Sequence, residues 1–262
     1  MKRTLILLSV ALLVAACTTS PTGRRQLVIF SDAEMSNMGA TAFDAMKQKA
    51  PVERAGAVNQ YVSCVADAIT RTLPEGERTG WEVVVFDDKS ANAFALPGKK
   101  IGVHTGLLDV AKNQDQLASV IGHEVGHVLA KHSAERMSMQ FVSQSSQQIV
   151  GALIGEGAGQ QAVMAALGVG SQYGVLMPYG RLQESESDNI GVQLMAQAGF
   201  KPQASIDLWH NMAAAGNGQP PEFLSTHPSH ETRISDLQAL MPEMQQIYKQ
   251  AQSAGYRPNC KR

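Results

Sequence analysis

The chain has 262 residues, 44% hydrophobic and 17% charged, a composition of neither a disordered chain nor a coiled coil. A formal net charge of −1 leaves no basic excess and argues against nucleic acid as a partner. Three cysteines are too few for a small disulfide scaffold, and the length fits one domain with a sizeable core.

Met1-Lys2-Arg3 is a short basic start, and residues 5–16 are apolar apart from Ser9. That run is too short to span a bilayer and suits the apolar region of a signal peptide. It ends in Val14-Ala15-Ala16-Cys17, which resembles a bacterial lipobox. The resemblance implies removal of residues 1–16 and lipidation of Cys17. Because Thr18 rather than Asp follows the cysteine, it also implies the outer membrane, facing the periplasm. Residues 17–30, with Pro21 and Gly23, are expected as a polar tether. Residues 31–262 are then the folded domain. With Cys17 acylated, Cys64 and Cys260 remain. An oxidising compartment permits a disulfide between them, and two unpaired thiols are the alternative that spacing alone leaves open.

Ser31-Asp32-Ala33-Glu34 looks like a capped helix start, with the helix running to about Ala50. A second helix is expected from about Ala57 to Leu73, with Val58, Tyr61, Val62, Val65 and Ile69 at helical spacing. Residues 81–86 are a β-branched run expected as a buried strand. Asn92–Leu96 and Ile101–Val103 flank Pro97-Gly98-Lys99-Lys100 as a hairpin. Asn113 to about Met139 is expected as one long amphipathic helix. Residues 140–180 turn to Gln, Ser, Ala and Gly with almost no charge; within them residues 160–180 are expected as a mobile lid over the cleft, with a plain helical hairpin as the alternative. Gly155–Gly159 is rejected as a phosphate loop because no strand precedes it. Further helices are expected from about Leu182 to Gly199, Pro202 to Ala215 and Glu231 to Ala254.

The chemistry concentrates in His123-Glu124-Val125-Gly126-His127. Two histidines at i and i+4 lie on one helix face, about 6 Å apart in rise and about 40° in rotation, so both imidazoles can reach one ion. Zn²⁺ takes neutral imidazole nitrogens and a carboxylate and keeps a position for water. Glu124 lies where its carboxylate can take a proton from a metal-activated water. A third ligand is needed. In Glu184-Ser185-Glu186-Ser187-Asp188, Glu184 and Asp188 share a helix face, whereas Glu186 points elsewhere. His132 is expected at the surface or behind the ligands. The alternative metzincin pattern fails, because Ala130 and Ser133 stand where it needs Gly and His.

These motifs, together with Asn92–Gly98, Thr105-Gly106-Leu107-Leu108, Ala130–Arg136, Arg181, Thr226-His227-Pro228 and Arg233, resemble the HtpX and CAAX-prenyl-protease type of zinc metallopeptidase. The soluble periplasmic lipoprotein branch is the most similar. Departures from the pattern, Ser187 in place of Ala and Lys99 in place of Gly, touch no ligand. The resemblance implies an α+β fold, a mostly helical zincin with a small sheet beside the central helix, and one Zn²⁺ per chain. It implies His123, His127 and Glu184 as metal ligands and Glu124 as general base. Asp188 is expected as a catalytic residue or as the carboxylate that orients His123 or His127, with Arg181 supporting the ligands from behind. Ala93, Phe94, Ala95 and Leu96 are expected as the strand that pairs with an extended substrate. His227 is expected close to the zinc, as a fourth ligand that blocks the water position or as an oxyanion stabiliser. The implied function is hydrolysis of misfolded or stalled cell-envelope proteins by a lipid-anchored enzyme on the periplasmic side of the outer membrane. The alternative is an outer-membrane protein assembly factor with a latent zinc site.

Overall fold

The structure, a computed structural model, describes residues 17–143, 180–215, 222–227 and 232–262. The apolar run ending at Ala16 lies outside the described residues. So does the expected lid, apart from Gly180.

The chain opens with a two-stranded hairpin, β1 (Cys17–Thr19) antiparallel to β2 (Arg25–Leu27). Residues 17–27 are therefore not the loose tether the sequence suggests. Ser20 and Gln26 are buried, and Arg24 is anchored to the domain by two carboxylates. Helix α1 (Asp32–Lys49) starts at Ser31 with reciprocal bonds to Glu34, as the sequence indicates. Helix α2 (Gly56–Thr70) buries Tyr61, Val62, Val65 and Ile69.

Three strands follow: β3 (Glu82–Phe86), β4 (Ala93–Leu96) and β5 (Lys100–His104), in the order β3-β5-β4. β3 is parallel to β5, and β4 is antiparallel to it. β3 was expected to be buried throughout. As an edge strand it buries only Val85 and Phe86 fully. Gly98 and Lys99 make the hairpin turn with φ of 82° and 62°. Lys99 thus adopts the left-handed conformation that glycine takes at lower cost. After α3 (Leu107–Val110) comes α4 (Gln114–Leu129). The expected helix to Met139 is broken here. Lys131 has φ of 53°, and α5 (His132–Ser143) leaves in a new direction. The chain continues through α6 (Arg181–Gln197), α7 (Ala204–Ala215), α8 (Glu222–Thr226) and α9 (Arg233–Ser253).

Helix α4 is the axis of the fold. It is not amphipathic as expected: residues 116–118 and 120–127 are all buried, because β4, α2, α6 and α7 surround it. Its closest neighbour is α6, and glycines set the approach. A Cβ on Gly191 would lie 2.6 Å from the His123 backbone nitrogen, and one on Gly122 would lie 2.8 Å from the Gly191 carbonyl oxygen. This contact brings the face carrying Glu184 and Asp188 against His123 and His127. Leu182, which the periodicity places with the apolar face of α6, is 73% exposed. One main core gathers α2, α4, α6, α7 and α9 around the sheet, and a smaller one lies under α1 with Phe43, Phe86 and Phe94. Cys64 of α2 is disulfide-bonded to Cys260, with Cα atoms 5.7 Å apart, and this ties the C-terminal tail to the core. Among the described residues no helix is long and apolar enough to cross a membrane.

Gly191→Ala is expected to push α4 and α6 apart and cost about 1–3 kcal/mol of stability. Thermal denaturation of the variant beside wild type checks this, and an unchanged midpoint would refute the tight crossing.

Candidate metal centre

His123 and His127 occupy successive turns of α4, and Glu184 faces them from the first turn of α6. His227 arrives from the other side, at the end of α8. Its N–H donates to the Phe223 carbonyl at 2.8 Å, and its ring stacks on Phe223 with centroids 4.4 Å apart. Phe223 N–H in turn donates to the Ala91 carbonyl just before β4. His227 is thus held between α4, α6 and the sheet.

The four side chains converge. His123 Nε2 lies 3.0 Å from His127 Nε2 and 3.1 Å from His227 Nδ1. Glu184 Oε1 lies 3.1 Å from His227 Nδ1 and 3.4 Å from His127 Nε2. All four residues are buried, and one donor atom from each falls within 4.8 Å of the rest. Donors arranged tetrahedrally about 2.0–2.1 Å from one ion stand roughly 3.3 Å apart. The separations fit that arrangement, and three imidazoles with one carboxylate suit zinc. Burying such a set without a cation to share would be costly.

Glu124 stands beside the cluster. Its Oε2 accepts from the Ala95 N–H of β4 at 3.0 Å, and its Oε1 is 3.2 Å from His227 Nε2. That Oε1 atom is buried and makes no hydrogen bond among the described residues. Burial raises the pKa of Glu124 above the usual carboxylate range, although His227 and His123 oppose the shift. A base moved in this direction can both take and return a proton nearer neutral pH.

A carboxylate and a guanidinium lie behind the ligands. Asp188 Oδ1 is 2.9 Å from His123 Nδ1, so of the two histidines the sequence left open it is His123 that Asp188 contacts. Arg233 grips Asp188 through Nε and Nη2, both at 2.6 Å, and donates to Glu184 Oε2 at 2.6 Å. Its guanidinium stacks over Trp209, 4.0 Å from the ring centroid. Burial would raise the Asp188 pKa, but Arg233 and His123 outweigh it and hold the group below its ordinary value. Glu184 is held well below its ordinary value, where the adjoining imidazoles overcome its burial. The support expected of Arg181 falls instead to Arg233: Arg181 is exposed at the start of α6.

His127 is buttressed by His132, with the two Nδ1 atoms 2.8 Å apart. His132 is fully buried, which excludes the surface position for it, and it does not join the metal-binding group. The break at Lys131 explains this. In a continuous helix His132 would point about 140° away from His127. Behind His132 stands Glu186, which points away from the metal-facing side of α6 yet is buried.

β4 is an edge strand of its sheet, with β3 at the other edge. All four of its residues are buried, and Glu124 already engages the outward amide of Ala95. Beside His127, a cleft of about 410 Å³ opens between Pro97 and Gly98 of the hairpin, Met35 of α1, and Leu129. The backbone of Cys17 lies in β1.

Burial opposes a proton on His123, but Asp188 and Glu184 outweigh it and raise its pKa to about 9. A metal must displace that proton, so zinc affinity rises with pH until about 9 is passed. Apparent zinc affinity is expected to increase about tenfold from pH 7 to pH 8. Chelator competition at the two pH values checks this, and a flat profile would refute it.

Comparison with known proteins places this arrangement. The sequence model of Peptidase family M48 matches residues 53–241, more than half of the chain. The mitochondrial metalloendopeptidase OMA1 of Schizosaccharomyces pombe is 38% identical over 174 residues, covering 63% of this chain and 48% of that protein. The beta-barrel assembly-enhancing protease of Yersinia pestis is 30% identical over 212 residues, covering 78% of this chain and 43% of that protein. Its Escherichia coli K12 counterpart is 28% identical over 226 residues, covering 84% and 46%. The chain thus spans about half the length, or less, of these relatives. On the matched segment and the site it contains, the chain belongs to peptidase family M48.

Proposed function

We propose that the chain is a zinc-dependent metalloendopeptidase, with His123, His127 and Glu184 holding the metal and Glu124 as general base. The observation that carries this reading is Glu124: a buried carboxylate of raised pKa beside a converged set of four metal-binding groups. A bound zinc supplies Lewis-acid polarisation of a peptide carbonyl and makes water a nucleophile near neutral pH. Glu124 takes the proton from the attacking water and returns it to the leaving amine. Asp188 holds the His123 Nδ1 proton, so that Nε2 is the atom turned to the metal. Arg233 keeps Asp188 ionised and holds Asp188 and Glu184 in register. The outer edge of β4, residues 93–96, receives an extended peptide through backbone hydrogen bonds, which gives broad sequence tolerance.

The proposed setting is the periplasmic face of the outer membrane, with a lipid anchor on Cys17 and misfolded or stalled envelope proteins as substrates. Support comes from the order of the N-terminal signals and from the likeness to proteases named for β-barrel assembly. A second reading, a latent site in an assembly factor, is favoured by His227. A peptidase needs three protein ligands and an open position, and here a fourth imidazole stands among the donors and faces Glu124. We take His227 as a fourth ligand at rest that must leave before peptide is cut.

Glu124→Gln is expected to lower casein hydrolysis by about 100-fold or more while the purified chain still binds one zinc. Equal hydrolysis by variant and wild type would exclude Glu124 as the base. His227→Ala is expected to accelerate casein hydrolysis. A decrease would assign His227 to oxyanion stabilisation, and no change in either hydrolysis or zinc affinity would remove it from the site.

A further inference from the structure

His127 and the N-terminal hairpin are joined by an unbroken line of side chains. Arg24, between β1 and β2, donates from Nε to Glu186 Oε2 at 2.8 Å, and from its two terminal nitrogens to Glu135 at 2.6 and 2.8 Å. Thr22 of the same hairpin donates to Glu186 Oε1 at 2.5 Å. Glu186 Oε2 also accepts from His132 Nε2 at 3.1 Å. His132 Nδ1 faces His127 Nδ1 at 2.8 Å, with Ser187 Oγ at 3.4 Å.

Hydrogen-bond directions along this line are fixed from one end. Arg24 can only donate, and the ionised Glu186 can only accept. His132 therefore carries its proton on Nε2, and its Nδ1 accepts. Two facing ring nitrogens share one proton, so His127 must be the donor, from Nδ1. That tautomer leaves His127 Nε2 unprotonated, and Nε2 is the nitrogen turned towards His123 and Glu184.

We propose that the hairpin is a working part of the metal centre: Arg24, through Glu186 and His132, sets the orientation and tautomer of His127. The three are positioning residues. His123 is oriented by a carboxylate within the domain, whereas His127 depends on an arginine that lies outside residues 53–241, the family-matched segment. An ion-pair network that served only to dock the hairpin would stabilise the fold without affecting the metal. The proposal rests on the zinc-site reading above.

The test is zinc affinity of the purified chain by chelator competition, with the visible absorption of the Co²⁺-substituted protein as a ligand-geometry readout. His132→Phe and Arg24→Ala are each expected to weaken zinc binding by about 10-fold or more, as loss of a partner behind a ligand commonly does, and to alter the Co²⁺ spectrum. Arg24→Lys should lie closer to wild type than Arg24→Ala, and Arg25→Ala, an exposed change in the same hairpin, should leave both readouts unchanged. Wild-type affinity in both His132→Phe and Arg24→Ala would overturn the relay while leaving the zinc site standing. Loss in His132→Phe but not in Arg24→Ala, or equal loss in Arg25→Ala, would overturn the hairpin's part in it. A wild-type chain that binds no zinc would overturn the metal centre and the relay together.

Discussion

Arg233 is the group on which the site's electrostatics depend. Glu184 and Asp188 place two carboxylates side by side where water has little access, an arrangement that would otherwise protonate one of them or force them apart. The guanidinium answers both at once, with two bonds to Asp188 and one to Glu184. Its planar fork suits that geometry as a lysine would not. Trp209 covers its face, so its position follows from packing as well as charge. The N-terminus of α9 is therefore fixed by the site as much as by the apolar core.

Two backbone features bring the remaining groups within range. The glycine contact between α4 and α6 allows short carboxylates on one helix to meet imidazoles on the other. Side chains at Gly122 or Gly191 would widen that gap by more than rotamer changes could recover. The left-handed residue Lys131 ends α4 one turn after His127 and turns the chain back, so that His132 closes over the ligand. A residue of this kind normally costs energy at a non-glycine. Here the cost is offset by a second imidazole packed against the metal-binding set.

Most of the fold was legible because it follows from periodicity and capping. The Ser31 cap, the apolar stripe of α2 and the hairpin around Gly98 stand where local rules put them. His123 and His127 were legible for the same reason, since i and i+4 fixes a common helix face. What the sequence does not carry is the pairing between distant segments. Arg24 was assigned to a tether because a polar stretch with Pro21 and Gly23 looks unstructured, and nothing local reveals Glu135 and Glu186 more than 100 positions away. Arg181 was expected as a supporting residue from the family resemblance alone. Helical rotation turns it outward, and Arg233, among the most buried side chains of the described residues, stands in its place. The helix was extended past Ala130 because a single left-handed residue leaves no mark on apolar spacing.

The resting position of Glu124 links substrate capture to base release. Antiparallel pairing with β5 uses the inward-facing groups of β4, so the outward amide of Ala95 is the one a peptide would meet at the strand edge. That amide now donates to Glu124, and the other oxygen of Glu124 faces His227. On the proposed reading, a peptide that takes the Ala95 amide removes a bond that favours the ionised carboxylate. If His227 withdraws in the same event, Glu124 loses its second partner and the ligand set loses its fourth member. Binding energy at the strand edge would then drive the opening of the metal centre, so cutting would require an extended chain long enough to pair with β4. Folded proteins offer such segments seldom, and unfolded or unassembled ones offer them freely. On that reading, a strand edge guarded by the general base would select by conformation rather than by sequence.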